Sequence, residues 1–264
     1  MPMSSYVMDL VLVAFVVREV VTFTGRFRRL KEDVARGDTA ARPRLYGRAL
    51  LFQWISAAVA LFALRFDPAA LRPDGAALAG SPLVHSASLR GDAGHGGIVG
   101  IVLGLVVGTI ALAVARRRGG RGAARAAARS PLQRLMPDIA VLLPVTARER
   151  LLWVAVSVSA GICEEIVFRG WLLRVLHDPA GLAGTALILA AAAGFGLAHA
   201  YQGVAGVVTA TLGGVMFCVL FAVTGSLVIP ILLHIAVDAR FALLPSPKGD
   251  RTRDDIARPG AVPA

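Results

Sequence analysis

Seven apolar runs, each long enough to cross a hydrocarbon core of about 30 Å, recur at about 6–24, 47–64, 97–115, 150–176, 180–201, 203–224 and 226–244. Such runs fold as helices, because a lipid-embedded backbone must satisfy its own hydrogen bonds. The expected fold is therefore all-α, a polytopic transmembrane helix bundle of about seven spans. The stretch "PDIAVLLPV", 137–145, is a candidate eighth. It would rise only about 14 Å as a helix and is expected to be interfacial or re-entrant. With 56% hydrophobic and 17% charged residues, the chain does not read as soluble.

The formal net charge of +11 is unevenly distributed. Lys and Arg number eight in 25–48 and nine in 116–150, against three in 65–96. The two basic loops are expected in the cytoplasm. That puts the N-terminus outside and, with seven spans, the tail bearing Lys248, Arg251, Arg253 and Arg258 inside. Topology and anionic membrane lipids thus account for the excess charge. No basic and aromatic groove pattern points to nucleic acid. The first run lacks a basic leader and a clear small-residue cleavage site, and reads as an anchor rather than a removed signal peptide. Cys163 and Cys218 lie inside predicted spans without ligand spacing and are expected to be reduced packing residues.

Three parts follow: N-terminal transmembrane helices with basic loops over 1–145, a compact core over 146–244, and a tail over 245–264 expected to be disordered. In the core, short connections make successive helices antiparallel neighbours, so their polar residues can converge on one cavity-containing interior.

Those polar residues are few. "GICEEIVFRG", 161–170, holds Glu164, Glu165 and Arg169; "FGLAHAYQG", 195–203, holds Phe195 and His199; "HIAVD", 234–238, holds His234 and Asp238. An ionisable group at mid-membrane costs at least a few kcal/mol, so it faces the bundle interior and takes partners. Glu165 and Arg169, four apart on one helical face, form an expected charge-neutralising pair. Glu164 lies about 100° around the helix, without an obvious local partner. It is the candidate base.

The set suits two chemistries. In one, Glu164 deprotonates a water held also by His199, and His234 donates to the developing oxyanion. In the other, His199, His234 and Glu164 bind a divalent metal such as zinc that lowers the water's pKa. Either hydrolyses an amide inside the membrane.

The motifs EExxxR at 164–169, FxxxH at 195–199 and HxxxD at 234–238 resemble those of the CPBP family of intramembrane proteases, also called Abi. The family includes the CAAX prenyl endopeptidases and proteins linked to bacteriocin processing and self-immunity. The resemblance covers about 150–240. It implies an intramembrane endopeptidase acting on a membrane-associated peptide or protein, with Glu164 and His199 activating water, His234 in the oxyanion-stabilising or metal-binding set, and Glu165 with Arg169 supporting them. The family often has Asn where this chain has Asp238. An ionised Asp repels an oxyanion that Asn could bond, so Asp238 is expected to orient His234.

Depth poses a problem. Glu164 lies about 21 Å along a helix starting near Arg150, whereas His199 falls just before the turn at Gly203. The turn around Tyr201 to Gly206 is therefore expected to sink into the bundle, or the fourth helix to tilt. Two other functions compete: a non-catalytic binding or immunity protein of the same fold, and a proton or cation transporter. No EExxxR counterpart in the first half supplies the internal repeat common among transporters.

Overall fold

The computed structural model describes residues 3–78, 80–88, 141–178 and 180–243. The expected span at 97–115, the basic loop before residue 141 and the tail from 245 lie outside the described residues. Every described element is helical.

Helix α1, Met3–Ala35, turns into α2, Ala41–Ala63. In the turn, Asp38 Oδ1 accepts the Ala40 N–H at 2.9 Å and its other oxygen accepts from Arg44. The Arg44 guanidinium, with the Ala40 N–H, holds the Asp38 carboxyl below its usual range. A 3-10 turn, Pro68–Leu71, and two short helices, α3 at Gly75–Leu78 and α4 at Pro82–Ser88, follow.

The central helix begins at a capping box. Thr146 Oγ1 accepts the Glu149 N–H at 3.1 Å, while Glu149 Oε2 accepts the Thr146 N–H at 3.2 Å, which satisfies two otherwise orphaned donors. From there α5, Ala147–Glu165, runs into a π-helical segment, Ile166–Leu172, and then α6, Leu173–His177. Beyond it come α7, Gly184–Ala198; a 3-10 turn, Ala200–Gln202; α8, Gly203–Thr224; and α9, Val228–Ala239, ending in a 3-10 turn, Arg240–Leu243.

Three of these stretches are long and apolar enough to cross a membrane: Ala41–Ala63, Ala147–His177 and Ala200–Thr224. The chain is an integral membrane protein. Among the other expected spans, α1 has the length but carries Asp9, Arg18 and Glu19 in its apolar part. Helices α7 and α9 are shorter than the reading of seven spans assumed, with 15 and 12 residues, or about 22 and 18 Å. The part of 137–145 that is described, residues 141–145, is not a crossing helix. Leu142, Leu143 and Pro144 are buried there, with the Leu142 carbonyl accepting from Tyr46 Oη at 2.5 Å.

Helix α5 packs between α2 and α9. Its N-terminal end meets that of α2, where Arg42 Nη1 lies 4.0 Å from Glu149 Oε1 and Tyr46 packs edge-on against Trp153. At its far end Trp171 Nε1 donates to Asp9 Oδ1 of α1 at 2.8 Å. Small residues set the close approaches. A Cβ at Gly161 would lie 2.5 Å from Ile235 Cγ1 and 3.1 Å from the Ile231 carbonyl. Those at Gly196 and Gly214 would press on Thr211 and Ala192 across the α7–α8 seam. Lacking a hydrophobic drive between helices, membrane bundles gain affinity from such backbone contacts.

Gly161→Val is therefore expected to push α9 off α5 and lower the thermal unfolding midpoint in detergent. Gly47→Ala, where nothing lies within 4 Å of the added carbon, should leave that midpoint in place. Equal midpoints for the two variants would show that the α5–α9 contact does not depend on Gly161.

Candidate active site

The buried centre is built on one oxygen. Glu165 Oε1 accepts from Arg169 Nη1 at 3.0 Å and from His234 Nδ1 at 2.9 Å, joining α5, the π-helical segment and α9. Glu165 is 0% exposed and Arg169 1%. A guanidinium there needs more than one partner, and it has them. Nη2 donates to the Gly214 carbonyl of α8 at 3.4 Å, and the plane lies over the rings of Phe195 and Phe217 at 4.5 and 5.0 Å. Cation–π contacts strengthen when desolvated.

The same two rings hold the histidine. Phe217 stacks on His234 at 5.1 Å and 17°, and Phe195 meets it edge-on at 5.9 Å. A carboxylate paired with Arg169 can only accept, so His234 Nδ1 carries a proton and Nε2 points the other way. There it faces Asp238 Oδ2 at 3.6 Å and Glu164 Oε2 at 3.9 Å.

These distances correct one expectation. Asp238 lies beyond hydrogen-bond range of His234, and Glu165 fills the orienting role that the sequence reading gave to Asp238. The i,i+4 spacing of His234 and Asp238 put the two on one face, but a histidine has two nitrogens, and the deeper one is taken from another helix. Glu164 matches its expected isolation. Its Oε2 is shielded from solvent without a hydrogen-bond partner, yet the side chain remains 23% exposed. It is the carboxylate of the pair that a small molecule can reach.

His199 joins from α7. Its Nδ1 bonds the Phe195 carbonyl at 2.8 Å, and since a carbonyl only accepts, Nε2 is left as the acceptor. Its ring lies 4.7 Å from Phe195 and stacks near Tyr201 at 6.1 Å. Both imidazoles thus touch the one Phe195 ring, although no hydrogen bond or ion pair links His199 to Glu164. Helix α7 stops short of a full crossing, and Phe23 and Phe27 of the long α1 pack edge-on against Tyr201 at 4.7 and 5.6 Å. The turn itself is not sunk as expected: none of Ala200–Gln202 is buried and Val204 is 81% exposed.

Among the described residues no group of three His, Cys, Asp or Glu side chains could hold a metal ion. His234 Nδ1 is committed to Glu165. Two contributors had no signal in the sequence. Phe217 sits in an apolar run like any other, and the π-helical segment that carries Phe168 and Arg169 has no composition of its own, though such bulges recur at functional sites.

Residues 146–240 match the family model described as type II CAAX prenyl endopeptidase Rce1-like. This segment is similar to the CPBP, or CAAX protease, family, and the match spans all three polar motifs and the cap at Thr146. No curated protein and no solved structure matches the chain.

The shared oxygen makes a sharp demand on Arg169. Arg169→Met should cost about 3–5 kcal/mol, the usual penalty for leaving a buried charge unpaired. Arg169→Lys should cost less but still destabilise, because an ammonium cannot span Glu165 and the Gly214 carbonyl while lying flat on two rings. Denaturant titration in detergent micelles measures both. A Met variant as stable as wild type would mean that Glu165 is not charged in the resting protein.

Proposed function

We propose that the chain is an intramembrane endopeptidase that hydrolyses a peptide bond in a membrane-associated, lipidated or apolar, substrate, with Glu164 as the general base. The observation that carries this reading is the division of labour between adjacent carboxylates. Glu165 Oε1 holds both Arg169 and His234 in a fully buried side chain, while Glu164 on the same helix accepts no hydrogen bond and is partly exposed.

A water between Glu164 and the free Nε2 of His199 gives its proton to Glu164 as its oxygen attacks the scissile carbonyl. His234, held by Glu165 through Nδ1, presents Nε2 beside Glu164. Protonated there, it donates to the developing oxyanion, a stabilisation worth most in a water-poor site. Collapse of the tetrahedral intermediate breaks the C–N bond, and Glu164 returns its proton to the leaving amine. Asp238, 34% exposed, sets a second carboxylate 3.6 Å from the same Nε2. No step of this reading passes through a metal.

In orientation, α2 and α5 begin on the same side of the bundle, as the two basic loops require if both are cytoplasmic. We place the N-terminus outside on that support and the membrane lipids' anionic headgroups against those loops.

The test is cleavage of quenched fluorogenic peptides, lipidated and plain, by detergent-purified protein. Wild type should cleave a member of the set, Glu164→Gln should lose at least about a hundredfold in kcat, the lower end of the range for a general base, and a chelator should change neither. Retained cleavage in Glu164→Gln would remove that residue from the chemistry. Loss with chelator would restore a metal route. Failure of folded wild type on every peptide would favour the binding or immunity function.

A further inference from the structure

One buried polar side chain belongs to none of these interactions. Gln53 of α2 is 7% exposed, and its Oε1 is shielded from solvent with no hydrogen-bond partner. Its neighbours on the buried stripe of α2 include Arg42, Tyr46, Ser56, Ala57 and Ala60; Arg42 and Tyr46 are bonded to the 141–149 segment, and Ser56 Oγ donates to the Phe52 carbonyl at 2.9 Å. An amide without a partner in a membrane bundle is a cost that packing does not repay.

Its position follows from the register of α2 on α5. Arg42 lies by Glu149, Tyr46 by Trp153, and Leu64 by Gly170. The two helices therefore run parallel at nearly constant offset, which puts Gln53 opposite Ala160 and Ala57 opposite Glu164. Both long side chains lean toward their helix N-termini, so their heads keep a separation of about one turn, 5.4 Å. Glu164 also lies three turns beyond Trp153 on nearly the same face. Trp153 itself is wedged between α2, through Tyr46, and α9, through its bond to the Asp238 carbonyl at 2.9 Å. Glu164 thus lies on the arc of α5 between its α2-facing and α9-facing sides, with Gln53 on the neighbouring buried stripe of α2.

We propose that Gln53 is a substrate-binding residue whose amide hydrogen-bonds the backbone of the bound peptide beside the scissile bond. An amide offers a donor and an acceptor, whichever way it is turned, and so complements the N–H and C=O of an extended chain. An extended peptide advances about 3.3 Å per residue. The one-turn offset from Glu164 then places the contact one or two residues from the scissile bond, toward the α5 N-terminus. Backbone recognition of this kind selects for an unfolded segment rather than for a side chain. The proposal rests on the peptidase reading and specifies where its substrate is gripped.

The experiment uses full-length protein in detergent and a cleaved fluorogenic peptide, with ester replacements for each backbone N–H within two residues of the scissile bond. Gln53→Met and Gln53→Leu should unfold at the wild-type temperature or above, since each removes an unpaired polar group. They should raise KM about tenfold, the effect of one lost hydrogen bond, with kcat within about twofold. One ester should cost wild type a similar factor and the Gln53 variants nothing. Equal sensitivity of both enzymes to every ester, or unchanged KM, would overturn the proposal while leaving the peptidase intact. So would a lowered unfolding temperature with reduced kcat, which marks a structural role. Absence of cleavage by wild type would overturn the peptidase reading, and the proposal with it.

Discussion

A single buried carboxylate oxygen organises this bundle. Glu165 Oε1 takes a guanidinium from one side and an imidazole from the other, and each of those partners is pinned further by the same two phenylalanine rings. Four helical segments meet there: α5, the π-helical turn after it, α8 through the Gly214 carbonyl, and α9. In a medium where an ionisable group costs several kcal/mol, such mutual satisfaction is the condition for having charge at that depth at all. It also fixes which histidine nitrogen is free, and so the direction in which the site can act.

The remaining architecture serves that arrangement. The glycine at 161 lets α9 approach closely enough for His234 to reach Glu165, and the glycines at 196 and 214 bring α7 against α8 so that Phe195 and Phe217 close over Arg169. Helix α7 ends at Ala198, and the half-buried His199 that caps it stacks on Tyr201, which Phe23 and Phe27 of α1 meet edge-on. Glu165 ties the helices together, and reactivity is left to its neighbour Glu164, which accepts no hydrogen bond in the resting protein.

Much of this is legible in the sequence because charge is rare in an apolar chain. Glu164, Glu165, Arg169, His199, His234 and Asp238 stand out, and the four-residue spacing of Glu165 and Arg169 foretells their pairing. The link between Glu165 and His234 does not stand out, since 69 residues separate them and either carboxylate, or Asp238, could have met the imidazole. Helix lengths were overread for the same reason. Apolar runs such as 180–201 and 226–244 continue past the helices at Gly184–Ala198 and Val228–Ala239, because apolarity marks what lipid or the core accepts and not where a backbone turns.

The separation of roles between the two adjacent glutamates is the central claim, and unfolding of Glu164→Gln beside Glu165→Gln in the same detergent tests it directly. Glu165→Gln should lose about 3 kcal/mol or more, because it strips the shared charge from Arg169 and His234. Glu164→Gln should match or exceed wild type, because it removes a charge that accepts no hydrogen bond and meets His234 only at 3.9 Å. The reverse order, or equal losses, would contradict the account.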